Sequence, residues 1–256
     1  MKRVLPLFIV VSCITTAIAQ STFTPPSASA ALVKGIPWST SESVGDKFRA
    51  RFHECETQNT CDGQPLKFSC AKDPNSNTAL LRLKDGVIFF DAKMGLDADG
   101  SPLSKKTPGL TDQPETSFRY PLPGNPSVDS DKVPFIVIPL GGFASAFGIQ
   151  LGDIAAVAHR DKLAFALVAD QGPPCKIGEG SIQLHEELGH AVCLGRNTEG
   201  ECTKLRNAGI AKDVLYFIFP RSKRKIINGL TPENVRERVN NEGRQLFDAL
   251  RGSSNP

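Results

Sequence analysis

Short apolar runs separated by turn residues dominate the middle of the chain, the pattern of a protein built mainly from strands. Runs at 80–84 and 87–90 flank Asp85-Gly86, a pair that favours a two-residue hairpin turn. Runs at 154–158 and 163–169 flank Arg160-Asp161 and predict a second hairpin, whose returning strand ends on Asp170. Pro134 and Pro139 bound a buried strand over 135–138, and Pro220 ends another over 214–219. Helical spacing occurs twice. Ser181 offers an N-cap, and Leu184, Leu188 and Ala191 then share one face. Thr231-Pro232-Glu233 opens a final helix whose apolar side is Val235, Val239, Leu246, Phe247 and Leu250. Gly243 weakens that helix by roughly 1 kcal/mol relative to alanine. Residues 101–132 are polar and rich in proline and glycine, which predicts a long surface loop.

The ends of the chain change this picture in two ways. Lys2 and Arg3, an apolar stretch over 4–14 and the small residues Ala17 and Ala19 form a secretory signal over 1–19. A lipoprotein signal ending at Cys13 is the rival reading, but its apolar stretch is very short. Residues 20–30 are rich in Ser, Thr, Pro and Ala and read as a disordered linker, leaving a single domain over 31–256. Beyond the signal remain Cys55, Cys61, Cys70, Cys175, Cys193 and Cys202, an even set in a secreted chain. They fall into two groups of three, so at least one disulfide joins the groups if all pair. Trp38 is either a core anchor or a platform for stacking a sugar, and burial of aromatic area favours the core.

Charge is unevenly placed. From Lys204 onward there are 11 Lys and Arg against 5 Asp and Glu, whereas 20–203 has 17 against 22. An acidic body suits a cationic substrate and argues against nucleic acid there. Beyond the signal no apolar stretch reaches membrane-spanning length.

Candidate chemistry gathers in 167–194. Asp170 ends a strand, Gln171-Gly172-Pro173-Pro174 turns the chain, and Glu179 stands between Gly178 and Gly180 in a loop ahead of the Ser181 helix. The two glycines would let the chain pass close to a bound polymer. Glycoside hydrolysis asks for two such carboxyls. Upstream, Asp91, Asp97 and Asp99 collect on a strand exit. A calcium loop opening on Asp97-Ala98-Asp99-Gly100 lacks its closing ligands, which leaves a structural turn or a wall of the substrate cleft. His185 and His190 bracket Glu186-Glu187, resembling a zinc-peptidase motif, but they are five residues apart and not four. They are read as solvent-facing, and no metal or cofactor is expected.

The string Asp170-Gln171-Gly172-Pro173, Ile177-Gly178-Glu179 and Ser181 resembles the signature of the glycoside hydrolase family 75 chitosanases. The resemblance runs over about 80–220, through Asp97-Ala98-Asp99-Gly100, Glu115-Thr116 and Gly152-Asp153. It implies that Asp170 and Glu179 are the essential carboxyls of an inverting, endo-acting hydrolase of chitosan. Their division into acid and base is left open, with Glu179 preferred as the acid. Asp97 and Asp99 are the candidate contacts to the glucosamine amines. A chitosan-like cationic polysaccharide is then the partner of a secreted monomer, with no nucleic acid or membrane. The family usually has Gly-Asp-Thr-Gly-Pro where this chain has Ala169-Asp170-Gln171-Gly172-Pro173. The same order of strand, Asp-x-Gly-Pro, loop and helix is similar to the six-stranded double-psi β-barrel of expansins and family 45 cellulases. The expected fold is therefore mainly β with a few helices around such a barrel. The alternative function is a wall-polysaccharide-binding or peptidoglycan-cleaving barrel.

Overall fold

The computed structural model describes residues 23–66, 70, 78–111, 113–206 and 208–252. Its core is a closed barrel of six strands. In chain order these are β1 (Ile88–Asp97), β2 (Phe135–Pro139), β3 (Ile154–His159), β4 (Lys162–Gly172), β5 (Glu179–Ser181) and β6 (Ile210–Phe219). β1 pairs antiparallel with β6, β6 with β3 and β3 with β4. β4 runs parallel to β2, β2 antiparallel to β5, and β5 parallel to β1, which closes the ring. The mainly β architecture with a six-stranded barrel core is the one the sequence predicts.

Side chains alternate across the barrel wall. One set includes Phe90, Met94, Ile136, Val168 and Tyr216 with the small residues Ala155, Ala164 and Ala166, and fills the narrow interior. The other set faces outward and is covered in turn. Helix α3 (Val235–Leu250) lies over β3 and β4, where Phe247 meets Phe165 and Phe217. Gly243 is its contact point, since a Cβ there would stand 2.7 Å from the Phe165 ring. The glycine that weakens the helix in isolation is thus what lets it dock.

Both predicted hairpins form. β3 and β4 turn through Arg160 and Asp161, with Arg160 at φ 53°. Strand Leu80–Arg82 pairs with β1, but the connection is wider than two residues, because Arg82 is the partner of Ile88. Asp85 and Gly86 still take left-handed conformations within it.

Two segments differ from expectation. The loop over 101–132 is no mere surface excursion: it carries a short helix, Pro102–Lys106, and buries Phe118, Tyr120 and Val128 against the barrel. Of the linker expected over 20–30, residues 23–30 are described and carry a short helical turn, Ser27–Ser29. Phe23 packs on Trp38 and Phe89, and Ser29 is buried. Trp38 lies against Phe89 and Phe217, the core role preferred for it. The signal over 1–19 falls outside the described residues.

Three disulfides form, Cys55–Cys70, Cys61–Cys175 and Cys193–Cys202. The second joins the two cysteine groups. It ties helix α1 (Asp46–Gln58) and the turn after it to the segment between β4 and β5. No described helix is long and apolar enough to cross a membrane.

Candidate active site

β2 separates the two signature acids. Its residue Val137 is in register with Asp170 of β4 on one side and with Glu179 of β5 on the other. Adjacent strands lie about 4.8 Å apart, which puts the two backbones about 10 Å from each other. Register partners on adjacent strands project to the same side of the wall. Ala169 is the extra residue that makes this possible. Ile136 pairs with Val168 but Val137 with Asp170, and the bulge at Ala169 turns Asp170 onto the Val137 side.

Glu179 was expected in a loop, and it lies on the short strand β5. The flanking glycines serve the barrel. Gly178 has φ +80°, and a Cβ there would come within 2.2 Å of the Lys93 carbonyl oxygen. A Cβ at Gly180 would meet Leu184 and Met94. This close approach lets β5 lie parallel to β1. Ser181 then caps helix α2 (Ile182–Glu187), accepting from the Leu184 amide as predicted, while its hydroxyl donates to the Val133 carbonyl.

The pairing of β5 with β1 brings in the upstream acids. Gly95 is opposite Glu179, and Asp97 is opposite Ser181. Asp97 accepts the Asp99 amide, at 2.8 Å, in the turn that follows β1. That turn needs Gly100, at φ +79°, because a Cβ would collide with the Val128 carbonyl oxygen. Carboxyl oxygens of Asp97, Asp99 and Asp170 lie within 4.8 Å of one another. Asp91 does not join them. It is buried within β1 and accepts the Ala79 amide.

Asp170 is only 1% exposed. Four donors converge on its Oδ1: the Ser117 amide (2.9 Å), the Ser117 hydroxyl (2.5 Å), the Gln171 amide (2.8 Å) and Gln113 Nε2 (3.1 Å). Gln113 and Ser117 were missed in the sequence, where they lie in an undistinguished polar run. The Phe118 amide donates to the Ala169 carbonyl and fixes their segment to β4. Gln171 acts on Asp170 through its backbone, so the side-chain change from threonine leaves that hydrogen bond in place.

The site is strongly acidic. Burial, then repulsion from Asp99, Asp170 and Glu179, holds the Asp97 pKa well above the usual carboxyl range. Burial and the Asp170 charge push Asp99 up to about 7, against a partial opposing pull from Thr111 and Gln113. Lys176 brings one cation to this group, 2.6 Å from Glu179 Oε1.

Two strand-borne acids, Asp170 and Glu179, thus stand with Asp97 and Asp99 in one acidic group. The family model for the fungal chitosanases of glycosyl hydrolase group 75 matches residues 94–248. The chain belongs to this family.

The chitosanase match reaches further than the signature, taking in most of helix α3, the last four residues of β1 and the other five barrel strands. The protein is accordingly a glycoside hydrolase that acts on chitosan. A comparison with curated proteins found no match.

His185 and His190 of this chitosanase do not share a helix. Helix α2 ends at Glu187, so His190 is not on it. Among the described residues, neither histidine meets two further His, Cys, Asp or Glu ligand atoms. His185 also departs from the solvent-facing expectation. It is fully buried, bonds the Gly95 carbonyl through Nε2 at 3.2 Å, and has its pKa lowered by burial to about 4. It therefore supports the β1 segment opposite Glu179.

Proposed function

We propose that this chitosanase cleaves internal β-1,4 bonds between glucosamine units with inversion, using Asp170 and Glu179 as its two reacting carboxyls. The observation that carries the proposal is the shared register partner Val137. A backbone spacing of about 10 Å suits carboxyls roughly 6.5–9.5 Å apart, the separation that leaves room for a water on the far face of the sugar. One carboxyl protonates the departing glycosidic oxygen while the other takes a proton from that water. Asp97 supplies the acidic wall that receives a glucosaminium amine, and the more deeply buried Asp99 stands beside Asp170. The leader at 1–19 and the three disulfides support a secreted enzyme.

The test is hydrolysis of soluble chitosan, following reducing ends, viscosity and the anomeric form of the first product. Asp170→Asn and Glu179→Gln should each lower kcat by a factor on the order of 10² to 10⁴ while remaining folded. Viscosity should fall early, and the α-anomer should appear first. Full activity in either variant would remove that residue from the chemistry. A β-anomer as first product would overturn inversion. Binding of polysaccharide without new reducing ends would favour a non-catalytic wall-binding role.

A further inference from the structure

Asp170 is held by four donors at Oδ1, but its Oδ2 is buried and accepts no hydrogen bond from a donor group of the protein. Asp99 Oδ1 is in the same condition. Both residues are more than nine-tenths buried, at 1% and 6% exposure, and their carboxyls belong to the cluster whose oxygens lie within 4.8 Å of one another. A buried acceptor without a donor costs on the order of 1–3 kcal/mol, more when charged. Two ionised carboxyls so close, in a medium of reduced dielectric, repel as well. A single proton between the two oxygens removes both penalties. It gives Asp99 Oδ1 a hydrogen and Asp170 Oδ2 a donor.

We propose that Asp99 and Asp170 share one proton, and that through it Asp99 acts as a positioning residue for Asp170. The proposal rests on the reading of Asp170 as a reacting carboxyl. Its stability test below does not.

The surroundings retain the proton. Asp97 faces Asp99 from the end of β1, Asp170 faces it from β4, and Glu179 adds negative charge from β5 with Lys176 paired to it. Among the described residues, the covering loop contributes the neutral groups of Thr111 and Gln113 to Asp99, while its Glu115 is paired with Arg119 and Lys105 at the surface. Ordinary carboxyls lose their protons near pH 4, whereas the pKa of Asp99 is about 7. The shared hydrogen bond is therefore present in acid and lost as pH rises through neutrality. With it goes the hold on the second oxygen of Asp170.

Two measurements test this, using water-soluble glucosamine oligomers as substrate. In the wild type, kcat/KM should decline on the alkaline side near pH 7. Asp99→Asn places a permanent amide donor against Asp170. It should retain at least tenfold more kcat at pH 5.5 than Asp99→Ala and move the alkaline limb up by at least one pH unit. Asp99→Ala supplies no donor and should lose at least tenfold in kcat at pH 5.5. The second measurement is thermal stability against pH, which needs no activity. Asp99 has a raised folded pKa, so its contribution is greatest below the unfolded pKa near 4. It declines as pH rises through the folded pKa and is then level. Asp99→Asn should flatten that decline. An unmoved alkaline limb, Asn as damaging as Ala at pH 5.5, or an unchanged stability profile would each overturn the shared proton. Stabilisation of the wild type by millimolar calcium that Asp99→Asn abolishes would also overturn it, by assigning the two oxygens to a cation. An intact stability effect in a chain inactive on glucosamine oligomers would leave the shared proton standing and sink the hydrolase chemistry instead.

Discussion

Gly172 lies against the carboxyl of Glu179. A Cβ at position 172 would stand 3.0 Å from Glu179 Oε2 and 3.2 Å from Val137 Cγ1. The glycine of the signature turn is therefore a steric requirement of the second acid, seven residues further on, as much as of the turn itself. Gly172→Ala should displace the Glu179 carboxyl. Sub-ångström misplacement of a reacting group is costly, so kcat should fall about 10- to 100-fold. The overpacking itself should cost no more than about 1–3 kcal/mol in stability. Steady-state kinetics beside thermal unfolding separates the two effects, and a variant with wild-type kcat would show that Glu179 tolerates the contact.

The Cys61–Cys175 disulfide spans 114 residues and ends one residue before Lys176, the partner of Glu179. Replacing both cysteines by serine should cost about 4–5 kcal/mol on the loop-entropy scale, against about 2.5 kcal/mol for the pair Cys193 and Cys202. Only the first change should also lower kcat, because only it frees the segment before Glu179. Denaturant unfolding and chitosan hydrolysis of the two double variants check the contrast. Equal effects on kcat would remove the link between tether and site.

Gly243→Ala should destabilise the protein, contrary to helix propensity. Alanine gains roughly 1 kcal/mol in an isolated helix. Here its methyl group would stand 2.7–2.9 Å from the Phe165 side chain on β4. The expected net loss is about 1–3 kcal/mol, readable as a lower Tm. A raised Tm would mean that helix α3 shifts freely over β4.

His185 should make the fold acid-sensitive. Its folded pKa, about 4, lies below the unfolded value near 6.5. The unfolded chain therefore binds the proton more readily between those values. Stability from this group is fully present above pH 6.5 and is lost as pH falls towards 4, to a total of about 3 kcal/mol. This is opposite in sign to the contribution of Asp99. His185→Gln should flatten the decline between pH 6.5 and 4 in urea unfolding. A decline of unchanged steepness would assign it to other groups.

What the sequence could determine is local. Alternating and continuous apolar runs placed most of the barrel strands, and Ser181 announced helix α2, because pleat and cap act within a few residues. The turn after Asp170 and the glycines around Glu179 marked the two acids for the same reason. The remainder depends on contacts between distant segments. Ser117 and Gln113 reach Asp170 across 53 and 57 residues, and only the docking of the Phe118 amide on Ala169 puts them there. The assignment of Glu179 to a loop failed because its strand has three residues and no pattern of its own. It exists through pairing with β1 and β2. Burial of His185 and the docking role of Gly243 were likewise invisible, since each is set by the neighbour it packs against. The residue types of the site are written in the chain. Their meeting at Val137, and the short distance between Asp99 and Asp170, are decided by the barrel's register, because register is fixed by how six separate strands bury one core.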